Sequence, residues 1–138
     1  MKKIACVLIA AAAVTVAAIP SPAAAAVERT PRCTSVRPSP DFYAGGRVAS
    51  TPIDARCTTV SISHVRDVAR PSDRCQTFLV ALLSADGRDP TYTEPVRVCS
   101  PSTRTRTVIA TGVPAGSQFR VLYQVDYLEQ SVRFTVWR

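Results

Sequence analysis

The alternation of hydrophobic and polar residues is clearest in the segment 118–127, QFRVLYQVDY. Successive side chains of a β-strand point to opposite faces of the sheet. One face of this segment would carry only apolar and aromatic side chains, namely Phe119, Val121, Tyr123, Val125 and Tyr127. The pattern therefore predicts a strand that turns this face toward a hydrophobic core.

Short segments rich in Val, Ile, Thr and aromatic residues recur along the chain. They lie at 57–65, 75–83, 95–99, 105–113, 118–127 and 131–138, and clusters of Pro, Gly, Ser and Asp separate them. No segment keeps a helical period over a useful length. The chain is thus predicted to be all-β, a small antiparallel sandwich of about six to eight strands, with one or two of them within 33–53.

The last two predicted strands are expected to form a hairpin. The apolar face of the final strand carries Val132, Phe134 and Val136. The two apolar faces coincide if a four-residue loop sets Val125 opposite Phe134 and, two residues on, Tyr123 opposite Val136. A two-residue loop has the right parity too, but Leu-Glu is poor chemistry for a type I′ turn.

The first 26 residues have the layout of a secretory signal peptide. Lys2 and Lys3 precede an apolar run at 4–19, a Pro-Ser-Pro break follows, and small residues lead to a cleavage site after Ala26. The alternative is an uncleaved membrane anchor, for which the run is short. We expect a secreted protein without a membrane span after cleavage.

The mature chain has the size of one domain. Its segment 27–56 is rich in Pro and Arg and is predicted to be an extended or irregular arm, whereas 57–138 carries the sandwich body. The mature chain retains 15 of the 17 basic residues, all of them Arg, against 10 acidic residues, a net charge of +5. Such a charge favours weak contact with acidic surfaces, but it does not predict specific nucleic-acid binding.

Four cysteines remain after removal of the signal peptide, which predicts two disulfides in an exported chain of this size. Three connectivities are possible. If 75–83 and 95–99 pair as a hairpin centred on Gly87, Cys75 lies directly opposite Cys99. We therefore favour Cys75–Cys99 and, by elimination, Cys33–Cys57, the bridge that would tie the arm to the body.

The sequence offers little catalytic chemistry. His64 has Ser61, Ser63 and Asp67 nearby, but triads are assembled from separate segments, and neighbours on a strand should point to opposite faces. His64 is expected to be a half-exposed strand residue. Asp86, Asp89 and Glu94 could supply oxygen ligands to Ca²⁺, but their spacing fits ordinary turns. We expect no enzymatic activity, no cofactor and no metal.

Two features could serve binding. The arginines at 97, 104, 106 and 120 could build a basic patch if their strands adjoin, the alternative being solvent-facing arginines that discourage edge pairing. Trp137 is expected either to pack on the second face of its sheet or to be exposed for carbohydrate or protein contact. The possible binding surface thus comprises Arg97, Arg104, Arg106, Arg120 and Trp137.

The segment TGVPAG, between the strands at 105–113 and 118–127, places Pro114 and Gly116 in a tight turn. A strand, this turn and a second strand that opens with an aromatic residue together resemble the turn before a late strand of fibronectin type III and other immunoglobulin-like modules. The resemblance covers 105–127 only, and the core Trp of such modules is missing from the early strands. It implies a binding, spacer or adhesion module without catalysis.

The favoured function is surface recognition by a secreted, non-enzymatic protein. An extracellular protein or a cell-surface polyanion would be its partner. One alternative is an inhibitor of a secreted hydrolase such as a protease, which would present the loop 84–94 in extended form. A further alternative is a toxin or antimicrobial factor acting on cell envelopes, which only the positive charge supports.

Overall fold

The computed structural model describes residues 32–43, 46–86 and 88–138. These residues form eleven strands and no helix. In chain order the strands are β1 (Ser35–Val36), β2 (Pro40–Tyr43), β3 (Arg47–Ser50), β4 (Ile53–Asp54), β5 (Thr59–Asp67), β6 (Cys75–Leu82), β7 (Thr91–Tyr92), β8 (Val96–Cys99), β9 (Thr107–Thr111), β10 (Gln118–Gln124) and β11 (Val132–Trp137). The predicted signal peptide at 1–26 lies outside the described residues.

The strands form two antiparallel sheets. The four-stranded sheet has the order β1–β11–β5–β9. The seven-stranded sheet has the order β2–β3–β10–β6–β7, with β4 beside β3 on one edge of β10 and β8 beside β7 on one edge of β6. The predicted fold class, a small all-β sandwich with two disulfides, is confirmed.

The core lies between the two sheets and is centred on three aromatic rings. Phe78 and Tyr123 project from the seven-stranded sheet, and their ring centroids lie 5.0 Å and 5.9 Å from that of Phe134 in the other sheet. The apolar faces that the sequence predicted are buried here, as Phe119, Val121, Tyr123, Val132, Phe134 and Val136. Aromatic packing therefore joins the sheets at the middle of the molecule.

The predicted hairpin of the last two strands is wrong. β10 pairs with β3, β4 and β6, whereas β11 pairs with β1 and β5 in the other sheet. The residues between them carry the chain across the core. Two apolar faces can be buried by facing each other as well as by lying side by side, so Tyr123 meets Phe134 across the sandwich and does not pair with Val136.

The other predicted hairpin is confirmed. Cys75 lies opposite Cys99 and Phe78 opposite Val96, which is the register centred on position 87. Both predicted disulfides are present, Cys75–Cys99 and Cys33–Cys57. The second of them fastens the start of the described chain to the residues just before β5.

The segment predicted to be an irregular arm contributes to both sheets. β1 lies at the edge of the four-stranded sheet, and β2, β3 and β4 belong to the seven-stranded one. Pro52 stands in the short gap between β3 and β4, where the ladder with β10 is interrupted. There the buried Ser50 Oγ accepts a hydrogen bond of 2.9 Å from the Val121 N–H. A side chain thus replaces the missing backbone acceptor.

The turn at TGVPAG also connects the two sheets. The Ser117 N–H donates to the Pro114 carbonyl oxygen at 3.1 Å, and Gly116 has a φ of +82°. A positive φ at the third residue of a tight turn suits Gly, which has no Cβ to clash. The predicted turn is therefore confirmed, with β9 in one sheet and β10 in the other.

Candidate functional site: a basic cleft along β11

The predicted patch of arginines is divided between the two outer faces of the sandwich. Arg97 pairs with Thr77, and Arg120 with Ala81, so both lie on the outer side of the seven-stranded sheet. Arg106 instead stacks on Trp137, a residue of the four-stranded sheet. The exposed Arg104 lies in the loop between β8 and β9. These residues therefore do not form one binding surface.

Trp137 packs on its sheet. Its indole Nε1–H donates to Ser63 Oγ at 2.8 Å, and the Arg106 guanidinium carbon lies 3.2 Å from the ring centroid. The side chain is half-buried. Since an arginine covers the ring, Trp137 offers no open aromatic platform to a ligand.

Ser63 and His64 are brought together by a β-bulge, contrary to the expectation that they face opposite ways. The register between β5 and β11 shifts between Arg133 and Thr135, and His64 has a φ of +56°. One extra residue in a strand breaks the alternation of faces. As a result, Ser63 Oγ lies 2.7 Å from His64 Nδ1.

Ser63 lies between Trp137 and His64 in a short series of hydrogen bonds. The Ser63 hydroxyl accepts from Trp137, so its own hydrogen is free to be donated to His64 Nδ1. One hydroxyl thus links the indole of Trp137 to the ring of His64. His64 is partly buried, as the sequence predicted.

A Ser–His–Asp triad is not assembled around His64. Ser63 is fully buried. The Asp67 carboxylate accepts hydrogen bonds from Tyr127, Gln130 and the N–H groups of residues 69 and 70, not from His64. Burial raises the pKa of Asp67, but these hydrogen bonds outweigh it and leave the pKa below the ordinary 3.8. This carboxylate is a structural anchor.

The acidic loop after β6 is held by its own hydrogen bonds. Asp86 accepts from the Ser84 hydroxyl at 2.6 Å and from the Arg88 N–H at 3.2 Å, which lowers its pKa. Asp89 donates its N–H to the same serine. Among the described residues, no group of three His, Cys, Asp or Glu side chains is placed to hold a metal ion.

A cleft of about 800 Å³ lies along β11. The connection from β1 to β2, the bulged end of β5 and the residues that follow β8 form its walls. Its basic side chains are those of Arg37, Arg66, Arg74, Arg133 and His64. The described residues that line the cleft include no Asp or Glu. The described lining of the cleft thus carries positive charge and no carboxylate.

Two of these arginines are direct cross-strand partners. Arg66 of β5 pairs with Arg133 of β11, and both are exposed. Like charges opposite each other in a sheet are destabilising. No carboxylate within the described residues forms an ion pair with either side chain. Neither guanidinium of this cross-strand pair is therefore neutralised by a direct ion pair in the described structure.

Hydrogen bonds fix one wall of the cleft. The Arg74 guanidinium donates to the Pro101 carbonyl oxygen at 3.1 Å, and the Ser100 N–H donates to the Arg74 carbonyl oxygen at 3.0 Å. The nearby Cys75–Cys99 disulfide joins the same two segments. Arg74 is therefore held beside the cleft by the base of a cross-linked hairpin.

Two hydroxyl groups of the lining have no hydrogen-bond partner. Ser100 and Thr135 are 4% and 5% exposed, and neither Ser100 Oγ nor Thr135 Oγ1 is bonded within the described structure. Buried polar groups are nearly always paired. Two unpaired hydroxyls in the lining of one basic cleft indicate that its polar groups are not all satisfied by the protein.

Sequence reasoning missed this cleft. Its basic residues come from positions 37, 64, 66, 74 and 133, and no segment contains more than two of them. No local pattern in the sequence brings these positions together. A second cleft, of about 830 Å³, is lined in part by Leu79, Leu122 and Tyr92. Its lining includes both positively and negatively charged residues.

Comparisons with protein-family models, curated proteins and solved structures each returned no match to this chain. The resemblance of 105–127 to immunoglobulin-like modules stays a prediction. No helix long and apolar enough to cross a membrane occurs among the described residues.

Proposed function

We propose that this is a secreted, non-enzymatic recognition protein that binds an anionic partner through the basic cleft. The observation that carries the proposal is the convergence of four arginines and His64 on a cleft whose described lining contains no carboxylate. An anion placed between Arg66 and Arg133 would relieve their cross-strand repulsion. Guanidinium groups also match the geometry of oxyanions with paired N–H donors.

Secretion is supported by two independent features. The residues 1–26 follow the layout of a signal peptide, and the two disulfides are typical of proteins that fold in oxidising compartments. A rigid sandwich of this kind, like the immunoglobulin-like modules that 105–127 resembles, presents a binding site on a fixed frame. These features support recognition outside the cell.

The alternative of a hydrolase inhibitor has less support. Such an inhibitor needs a protruding loop, but residues 91–92 of the loop 84–94 form β7 on the edge of β6. Thr93 is also bonded to β6, because its hydroxyl accepts a hydrogen bond of 2.9 Å from the Val80 N–H. Only the first part of the loop is free of the sheet, so we do not favour this function.

The proposal is tested by titrating the protein with two small trivalent or higher anions, citrate and inorganic tripolyphosphate, in low salt. We expect binding of at least one, weakened by added salt as ions screen the charges. Arg66→Gln and Arg133→Gln should each weaken it about tenfold, since a charge-assisted hydrogen bond contributes about 1.5–3 kcal/mol. Isothermal titration calorimetry gives the dissociation constants.

Arg97→Gln is the matched control, because it removes the same charge from the outer face of the other sheet. It should leave the dissociation constant within about twofold, as expected for a distant surface charge. Absence of binding by both anions would refute the proposal. Equal losses in Arg97→Gln and Arg66→Gln would refute it too, because they would show attraction by net charge alone.

A further inference from the structure

The lining of the basic cleft contains more hydrogen-bond donors than a carboxylate can use. A guanidinium carries five N–H donors, whereas an ionised carboxylate accepts at about four lone-pair sites. Arg66 and Arg133 together exceed the capacity of any single carboxylate group. A phosphate or sulfate ester offers three terminal oxygens, each able to accept more than one hydrogen bond.

The unpaired hydroxyls of Ser100 and Thr135 add two neutral donors to this set. Leaving a buried hydroxyl without a partner is destabilising, so each hydroxyl lowers the stability of the unliganded protein. Neither oxygen has a bond to break, and rotation about χ1 to another staggered position therefore sacrifices no hydrogen bond. Such a rotation would let either hydroxyl turn toward a ligand in the cleft, whose lining includes both residues.

Thr135 is well placed for such a role. It projects from the same side of β11 as Arg133, two residues away, and pairs with Ser63 of β5. Ser63 in turn holds His64 Nδ1 at 2.7 Å. A cross-strand arrangement thus sets an arginine pair, a free hydroxyl and an oriented imidazole beside one another.

We propose that the cleft selects tetrahedral oxyanions, the phosphate or sulfate groups of a multiply substituted ligand, and that Ser100 and Thr135 supply this selectivity as neutral donors. The proposal rests on the anion-binding function given above and specifies its ligand. The arginines supply affinity for any anion. The hydroxyls distinguish an oxyanion with three terminal oxygens from a carboxylate with two.

The test compares inorganic tripolyphosphate and an oligosulfated disaccharide with citrate, by calorimetry on the full mature chain. Tripolyphosphate, the sulfated sugar or both should bind at least about tenfold more tightly than citrate, the equivalent of one hydrogen bond to a charged group. Whichever of the two binds more tightly identifies the source of the oxyanion.

The variants Ser100→Ala and Thr135→Val separate a binding role from a structural one. Each removes an unpaired hydroxyl, and Thr135→Val keeps the shape of the side chain, so the melting temperature should stay the same or rise. The preference over citrate should fall about tenfold in Thr135→Val, and citrate affinity should change little. Loss of the preference with no loss of stability is the expected result.

Two results would overturn the selectivity proposal and leave anion binding standing. One is equal affinity of the unmodified protein for citrate, tripolyphosphate and the sulfated sugar. The other is a lowered melting temperature in Ser100→Ala and Thr135→Val with the preference intact, which would make the hydroxyls structural. If no probe binds, both the function and its selectivity are refuted.

Discussion

At the scale of single residues, Asp67 shows how a buried charge is stabilised in this sandwich. Its carboxylate is 2% exposed and lies at the end of β5. Tyr127 and Gln130, from the segment that crosses between the sheets, donate to it at 2.8 Å and 2.9 Å. Gln130 Oε1 also accepts from the Asp126 N–H at 2.7 Å. One carboxylate thus fixes the crossing segment to β5.

Asp67→Ala should lower the free energy of unfolding by about 3 kcal/mol, because several buried donors lose their acceptor at once. Urea unfolding followed by fluorescence measures the change. Asp89→Ala is the control, since this side chain is exposed, and should cost no more than about 0.5 kcal/mol. Similar losses in the two variants would contradict an anchoring role for Asp67.

Ser50 takes the place of a backbone hydrogen-bond acceptor in the seven-stranded sheet. Its hydroxyl is the acceptor for the Val121 N–H at the interruption between β3 and β4. The sequence gives no sign of this role, because a serine next to a Thr-Pro pair is usually part of a turn. The role exists only because β3 and β4 line up along one edge of β10.

At the scale of elements, the alignment of β3 and β4 along β10 allows the effect of Ser50→Ala to be predicted. The variant leaves the buried Val121 N–H unpaired and should destabilise the protein by about 2 kcal/mol. Faster amide hydrogen exchange of Val121 should accompany the loss. Ser35→Ala, an exposed serine on β1, is the comparison and should have no measurable effect; if the two variants match, the bond is not important to the sheet.

The bulge in β5 is the element that links the fold to the candidate site. A regular strand would have placed Ser63 and His64 on opposite faces. The extra residue instead puts His64 in the left-handed region and brings its ring to the Ser63 hydroxyl. Bulges often redirect side chains next to binding sites, and here the redirected side chain lines the basic cleft.

At the scale of the whole molecule, stability should depend on pH through groups joined to one network. The pKa of Asp67 is below 3.8 in the folded protein, so its contribution is present above that value and is lost as the pH falls through the folded pKa. Hydrogen bonding to Asp67 raises the pKa of Tyr127, and burial raises that of Tyr123. Their contributions are present below 10.0 and are lost as the pH rises through the folded values.

We therefore expect a plateau of unfolding free energy between these limits, with losses at both ends. Tyr127→Phe should make both losses smaller, because it removes a hydrogen bond that lowers the pKa of Asp67 and also removes one ionising phenol. Urea unfolding measured across the pH range tests this. Acid and alkaline losses unchanged in Tyr127→Phe would show that the network does not govern them.

Much of the architecture could be predicted from the sequence because it rests on local patterns. Alternation identified the buried faces of β10 and β11, and the spacing of Cys75 and Cys99 about position 87 fixed the β6–β8 register. Which sheet each strand joins could not be predicted in this way. An apolar face is buried equally by a neighbour and by an opposing sheet, and this ambiguity produced the wrong hairpin.

The cleft was beyond sequence reasoning for a related reason. Arg37 reaches it through the connection that leaves β1, and Arg74 through the hairpin that carries the Cys75–Cys99 bridge. Their approach to Arg133 depends on crossings between sheets. The bulge at His64 was equally hidden, because one extra residue in a strand leaves the composition of the segment unchanged.

The position of β11 within its sheet determines when the molecule can assemble. β11 follows every other described strand along the chain, yet it lies between β1 and β5. The strand partner of Val36 is Val136, which follows it by one hundred residues along the chain. A partly synthesised chain would expose an unpaired edge of β5, and such distant pairings form in milliseconds to seconds. The four-stranded sheet therefore cannot be complete before the last described strand has been synthesised.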